Sequence, residues 1–247
     1  MTRSMRRTQW ATGSAVALAL IFAGAATVAT SGTDSAADTA DSASAGVAAV
    51  PAADSADAGF ARDMAVHHQQ AVEMSFIVRD LTGDEDVRRL AYDIANTQAG
   101  QRGMMLGWLN LWEQPKTTPA GQQPMGWMTA GHAGHSMDNM DGMAGMDASP
   151  SAHAPGFRAH DGALMPGMAT RTELGRLRTT RGKQAEILFL QLMTDHHKGG
   201  VAMARGCAEL CTVPVEKRLA QGMVEAQQSE LDLMADMLAA RGAKPRP

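Results

Sequence analysis

The strongest constraint on the fold is that the chain repeats itself. Setting residues 57–109 over residues 186–238, at a constant offset of 129 and with no gap, aligns Phe60 with Phe189, Met64 with Met193, and His67-His68 with His196-His197. The same register pairs Val72 with Val201, Met74 with Met203, Leu81 with Leu210, Gln98 with Gln227, Met105 with Met234 and Leu109 with Leu238. The overlay holds 13 identities in 53 positions, and they fall on uncommon residue types rather than on alanine. Self-similarity at a fixed period marks a duplicated structural unit, so the two copies should fold alike.

Each copy reads as two helices. Phe60, Met64 and Ala71, and later Ile94, Met105 and Leu109, recur at helical spacing. In the first copy Thr82, Gly83 and Asp84 break the pattern, and Thr82 with Glu85 has the spacing of a capping box for the second helix. In the second copy Pro214 suits the first turn of a new helix. Two such hairpins, with helices of roughly 25 residues, bury their apolar stripes most simply against one another, which predicts an all-α four-helix bundle. The hairpins are expected over residues 57–112 and 171–241.

The flanking segments differ in kind. No charged residue occurs from Thr8 to Thr33, and this run follows Arg3, Arg6 and Arg7, the layout of a secretory signal. Residues 1–30 are therefore expected to be a signal peptide or signal anchor, and the protein to be exported to the cell envelope. Small residues around Ala26 and Ala29 suit cleavage. The run is also long enough to remain as an N-terminal anchor, which would then be the chain's membrane contact. Residues 31–56 are rich in Ala, Ser and Asp and read as a disordered spacer. Residues 113–170 connect the hairpins and hold Pro115, Pro119, Pro124, Pro150, Pro155 and Pro166 among many glycines, so no regular structure is expected there. A connection of that length calls for a function. The net charge of −4 comes with scattered Lys and Arg, which argues against nucleic acid as a partner.

The chemistry-bearing residues are sorted rather than spread. The eight histidines lie either in the two matched pairs or in the connection, at His132, His135, His153 and His160. Eight of the 19 methionines also lie in the connection, at Met125, Met128, Met137, Met140, Met143, Met146, Met165 and Met168. With little else apolar around them, they read as ligands rather than as core. Thioether sulfur suits Cu(I), imidazole suits Cu(II), zinc and nickel, and the mixture best matches copper.

On the first helix Met64, His67, His68 and Met74 share one face, and Met193, His196, His197 and Met203 repeat it. Adjacent helical residues point about 100° apart, so one ring of each pair should reach the bundle axis while the other leans toward a flanking helix. Four imidazoles are expected to converge where the hairpins meet. One histidine on an apolar stripe is ordinarily a satisfied core residue, and a methionine there is ordinarily packing. Two histidine pairs at equivalent positions argue for more, because burying four imidazoles is costly unless each finds a partner. Ala71, and Gly199 with Gly200, would let a neighbouring segment come close. Gln98, Gln101, Gln227 and Glu230 hold matched places from which they could bond the imidazoles, with surface or capping roles as equal alternatives. Cys207 and Cys211, four apart, would share a helix face, which suits a disulfide poorly within a regular helix; a disulfide closed near a helix end, idle core cysteines and a soft metal pair are the readings. No Glu-x-x-His occurs, as a di-metal oxidase bundle would need, and no serine or cysteine sits in a recognisable catalytic array. The expected role is binding, not catalysis.

The stretches FARDMAVHHQQAVEM and MPGMATRTELGRLRTTRGKQAEILFLQLMTDHHKGGVAMA resemble the bacterial DUF305 family, which includes periplasmic copper-binding proteins of the CopM type. The resemblance covers residues 57–112 and 163–240. It implies a ferritin-like four-helix bundle outside the cytoplasm that binds copper, as Cu(I), Cu(II) or both, through Met and His and serves copper tolerance. A copper-handling envelope protein would be a natural partner. The resemblance adds Met165 and Met168 to the candidate ligands Met64, His67, His68, Met74, Met193, His196, His197 and Met203. The chain departs from the simpler members at Gln69-Gln70, where small residues are commoner, and at Gln101, where Glu is expected, which implies a weaker first site. The competing readings are a zinc or nickel bundle and a metal-independent envelope interaction module.

Overall fold

The structure, a computed structural model, describes residues 50–130 and 157–247. Six helices follow in order: α1 (Ala56–Arg79), α2 (Glu85–Leu111), α3 (Trp127–Ala130), α4 (Arg171–Thr179), α5 (Gly182–Leu210) and α6 (Pro214–Ala240). Helices α1 and α2 form one hairpin, α5 and α6 the other, and α1 packs on α5 to join them into a four-helix bundle.

The direction of that central contact follows from who shares a core with whom. Ala58, Phe60, Ala61 and Met64 at the start of α1 pack with Met203, Ala204 and Cys207 at the end of α5. Ala71, Met74 and Val78 at the end of α1 pack with Leu188, Phe189, Leu192 and Met193 near the start of α5. The two helices therefore run antiparallel and cross between these halves, at the histidine pairs.

Each hairpin also holds the turn of the other. Helix α6 begins with Pro214 in its first turn, as expected, but its N-cap residue Val213 has no side chain that can accept a bond. Asp57 of α1 supplies one, accepting from the backbone N–H of Thr212 (2.8 Å) and Val213 (2.7 Å) and from the Thr212 hydroxyl (3.0 Å). A carboxylate there meets the positive end of the α6 dipole as well as its unpaired donors. Glu186, which matches Asp57 in the repeat, accepts from the Thr82 hydroxyl at 2.6 Å in the α1–α2 turn. This alters the expected cap of α2. Asp84 fills that role, accepting from Val87 N–H, because it stands next to the helix, while Thr82 is turned across to the second hairpin.

The connection is more ordered than its composition suggests. Trp127 of α3 is buried, edge-on to Phe60 at 5.8 Å. The Asp63 carboxylate pins it by accepting from Trp127 Nε1–H (3.0 Å) and Met125 N–H (2.6 Å). Met128 and Met165 are likewise core, which corrects their reading as methionines without a packing role. The segment expected as one hairpin over 171–241 opens with the separate helix α4, capped at its N-terminus by a Thr170–Glu173 capping box, and its first long helix starts at Gly182. The spacer ends in order too, with Arg62 donating to the Ala53 carbonyl at 3.0 Å. Residues 1–49 and the connection's His132, His135, His153, Met137, Met140, Met143 and Met146 lie outside the described residues. No helix among the described residues is long and apolar enough to cross a membrane.

Candidate metal centre

At the α1–α5 crossing the rings of His67 and His196 face each other, centroids 3.8 Å apart and tilted by 32°. His196 Nε2–H donates to the His67 backbone carbonyl at 3.0 Å. The other member of each pair leans outward. His68 Nε2–H donates to Gln101 Oε1 of α2 at 2.8 Å, and His197 Nε2–H donates to Glu230 Oε2 of α6 at 2.6 Å. Both outward bonds span 33 residues, so the arrangement is duplicated along with the sequence.

These bonds set the tautomers. A carbonyl or carboxylate oxygen can only accept, so Nε2 carries a proton in His68, His196 and His197, and in the neutral His68 and His196 rings Nδ1 keeps its lone pair. The Nδ1 atoms of all four rings and Nε2 of His67 are buried without a hydrogen-bond partner. Both ends of the Gln98 amide and Oε1 of Gln227, again matched positions, are in the same state. A polar layer thus separates the two apolar halves of the core. Leaving such groups unpaired costs about 1–3 kcal/mol each, a cost that a ligand bound to them would remove.

Three of these imidazoles, His67, His68 and His196, are held neutral. Burial pushes His67 down to about 3, reinforced by the nearby His68 and His197; the Pro166 carbonyl opposes this without a well-formed hydrogen bond. Burial likewise takes His68 down to about 4, against the pull of its Gln101 bond. His196 is held well below its ordinary value by burial and by the other three rings. Neutral imidazole is the form that ligates metal.

Convergence is only partial. Among the described residues no three histidine nitrogens gather within 4.8 Å of one another. One helix can send only one of two adjacent rings to the axis, so two rings stack there and two lean away. The sulfurs divide by the antiparallel crossing. Met64, Met203 and Met165 lie in one half of the core, with Met168 packed against it, and Met74 and Met193 lie in the other.

A strap formed by Met165, Pro166, Gly167, Met168 and Ala169 crosses beside the histidines. A Cβ on Gly199 would run into the Pro166 carbonyl oxygen, and one on Gly167, at φ +82, into the Asp195 carbonyl oxygen, so strap and helix meet backbone to backbone. Gln70, which matches Gly199 in the repeat, grips the strap from α1. Its amide donates to the Ala169 carbonyl (2.9 Å) and accepts from the Ala169 N–H (2.6 Å).

The sequence profile of the family described as a domain of unknown function, DUF305, matches residues 57–238. The chain belongs to the DUF305 family. A DUF305 protein of Streptomyces coelicolor is 58% identical, superposes with a TM-score of 0.63, and covers 79% of this chain and 99% of its own. A DUF305 fragment of Deinococcus radiodurans is 28% identical with a TM-score of 0.54, covering 77% of this chain and 99% of its own. CopM in its Cu(I)-bound form aligns at 19% identity and a TM-score of 0.49, over 74% of this chain and 96% of its own, and at that distance nothing about the site follows. No curated protein matches.

In this DUF305 bundle the two acids that flank the histidine pairs in sequence, Asp63 and Asp195, are engaged elsewhere. Asp63 holds α3, and Asp195 accepts from Arg246 Nε at 2.7 Å. The residues missed in sequence are Gln70, whose clamp on Ala169 lies 99 positions away, and Glu216, a buried acid in the first turn of α6. Gln70 had one signal, its place opposite Gly199 in the overlay; Glu216 had none, since an acid in the first turn of a helix is commonplace.

Proposed function

We propose that this protein binds copper outside the cytoplasm, through the histidine layer and the flanking methionines, and sequesters or hands on the ion without catalysing a reaction. The observation that carries this reading is the set of five buried, unpartnered ring nitrogens at the α1–α5 crossing, with methionine sulfurs in the core on either side. A closed tetrahedral zinc site needs four ligands held together, and among the described residues no three ring nitrogens are so held. Cu(I) accepts few ligands and favours thioether beside imidazole, which suits two facing rings with methionine sulfur one helical turn away. Export is supported by the basic start and apolar run of residues 1–30. A role in copper tolerance, and exchange with a copper-handling envelope protein, belong to this reading as what the family resemblance implies.

The test is competitive Cu(I) titration of the chain against a variant with Ala at His67, His68, His196 and His197. A second variant with Leu at Met64 and Met193 preserves side-chain volume. We expect affinity to fall by about 100-fold in the first and about tenfold in the second, using outer-shell losses as a lower guide. Equal affinity in all three proteins, each shown to be helical by circular dichroism, overturns the reading and favours a metal-independent interaction module. Zinc binding tighter than Cu(I) would replace copper with zinc.

A further inference from the structure

At the end of the bundle where α5 gives way to α6, Cys207 and Cys211 form a disulfide. Cys207 follows His197 by ten residues, about 15 Å along a helix rising 1.5 Å per residue, so this place is separate from the histidine layer. Glu216 is the third group here. One of its oxygens and the two sulfurs all lie within 4.8 Å of one another. Glu216 is 0% exposed and neither oxygen receives a hydrogen bond. Its close polar neighbour is another acid, Asp57, already occupied with Thr212 and Val213. An acid that served only the α6 dipole would gain as much while facing water. Burying one beside two sulfurs, with a second carboxylate as its close polar neighbour, needs a further reason.

We propose that Cys207, Cys211 and Glu216 are the closed, oxidised form of a second metal site, which an external dithiol opens to take one thiophilic divalent cation such as Zn(II) or Cd(II). The dithiol is oxidised to its own disulfide as it delivers two electrons and two protons to the Cys207–Cys211 bond. The resulting thiols and the Glu216 acid then lose three protons as two thiolates and one carboxylate close on the cation. Two sulfurs bound at 2.3 Å in a tetrahedral site sit about 3.8 Å apart, a spacing that side-chain rotation reaches once the covalent bond is gone. A water completes the fourth position. Burial and the neighbouring Asp57 push Glu216 up to about 9, so in the closed form it rests as a neutral acid. Mixed sulfur and oxygen donors with net negative charge suit Zn(II) and Cd(II), and reduction of the disulfide gates access to them. The inference does not depend on copper binding by the histidines.

The experiment titrates the full-length protein with cadmium chloride, with and without prior reduction by a trialkylphosphine, which becomes a phosphine oxide with oxygen from water and adds no thiol. Thiolate-to-cadmium charge transfer in the near ultraviolet reports this site alone, because the histidine layer has no thiolate. We expect a band saturating at one cadmium per chain in the reduced protein and none in the oxidised one. It should persist when His67, His68, His196 and His197 are Ala. Glu216→Gln, which mimics the neutral acid, should weaken cadmium binding by about tenfold or more while helicity stays unchanged. Absence of the band after reduction overturns the proposal. So does equal cadmium affinity in Glu216→Gln, including the case where reduction unfolds the chain and the freed thiols bind by themselves.

Discussion

His67 and His196, 129 residues apart in sequence, stack ring on ring at 3.8 Å while His196 bonds to the His67 backbone carbonyl. Each ring comes from a different repeat, so neither hairpin contains the layer alone. Docking the hairpins creates it, and with it a set of lone pairs that no protein donor meets.

The outward rings provide a comparison within one molecule. His197 leans on a carboxylate, Glu230, and His68 on a neutral amide, Gln101. A carboxylate partner makes imidazole a more basic ligand. Glu230→Gln should therefore lower copper affinity by about tenfold or more, and Gln101→Glu should raise it. Competitive titration of both variants decides; equal affinities would show that these partners only orient the rings.

The strap's close approach should tolerate no added carbon. Gly199→Ala would place a methyl group against the Pro166 carbonyl oxygen, where backbone rather than a flexible side chain must give way. We expect a loss of about 1–3 kcal/mol in urea unfolding. Gly175→Ala, at a helical glycine with open space around it, should be neutral or stabilising.

Stability of the metal-free protein should peak between acid and alkaline limbs. His67 and His68 fall from an ordinary 6.5 to about 3 and about 4 on folding. Between those values and 6.5 the unfolded chain binds protons that the folded chain refuses, so stability is complete above 6.5 and is lost as pH falls. Glu216 shifts the other way, from 4.5 to about 9, so its unfolded form releases a proton that the folded form keeps. Stability therefore declines as pH rises from 4.5 toward 9, by up to about 1.4 kcal/mol per unit. The steeper histidine limb places the maximum near 6.5. Urea midpoints across pH should show both limbs, and Glu216→Gln should flatten the alkaline one.

Asp63 ties α3 to α1 through two hydrogen bonds. Its pKa is raised by burial against the lowering effect of those same bonds, so the bonds do not fully offset its desolvation. Asp63→Ala should cost about 2–4 kcal/mol and speed proteolysis near Trp127, with little change in the histidine layer. Limited proteolysis followed by mass spectrometry would show where cleavage moves.

Much of this was legible in the sequence because duplication compares the chain with itself. The overlay located both hairpins, paired the histidines, and matched Gln101 with Glu230 before any contact was known. The division into axial and outward rings followed from helical geometry. Other features depend on distant partners. Asp57 caps α6 from 155 residues away, and nothing local distinguishes it from any acid in a first helical turn. Met128 and Met165 sit in a stretch whose composition reads as linker, yet Trp127 and the hairpins bury them. Composition averages over a segment, whereas burial depends on which few side chains find a surface to cover.

Among the described residues the strap has no counterpart in the repeat. Two identical hairpins meeting through the same crossing would give a molecule with indistinguishable sides. Here Gln70 holds a segment down where Gly199 leaves room for it, and the equivalence is broken. The strap gives the bundle a front and a back, so whatever approaches the histidines meets a different surface from each direction.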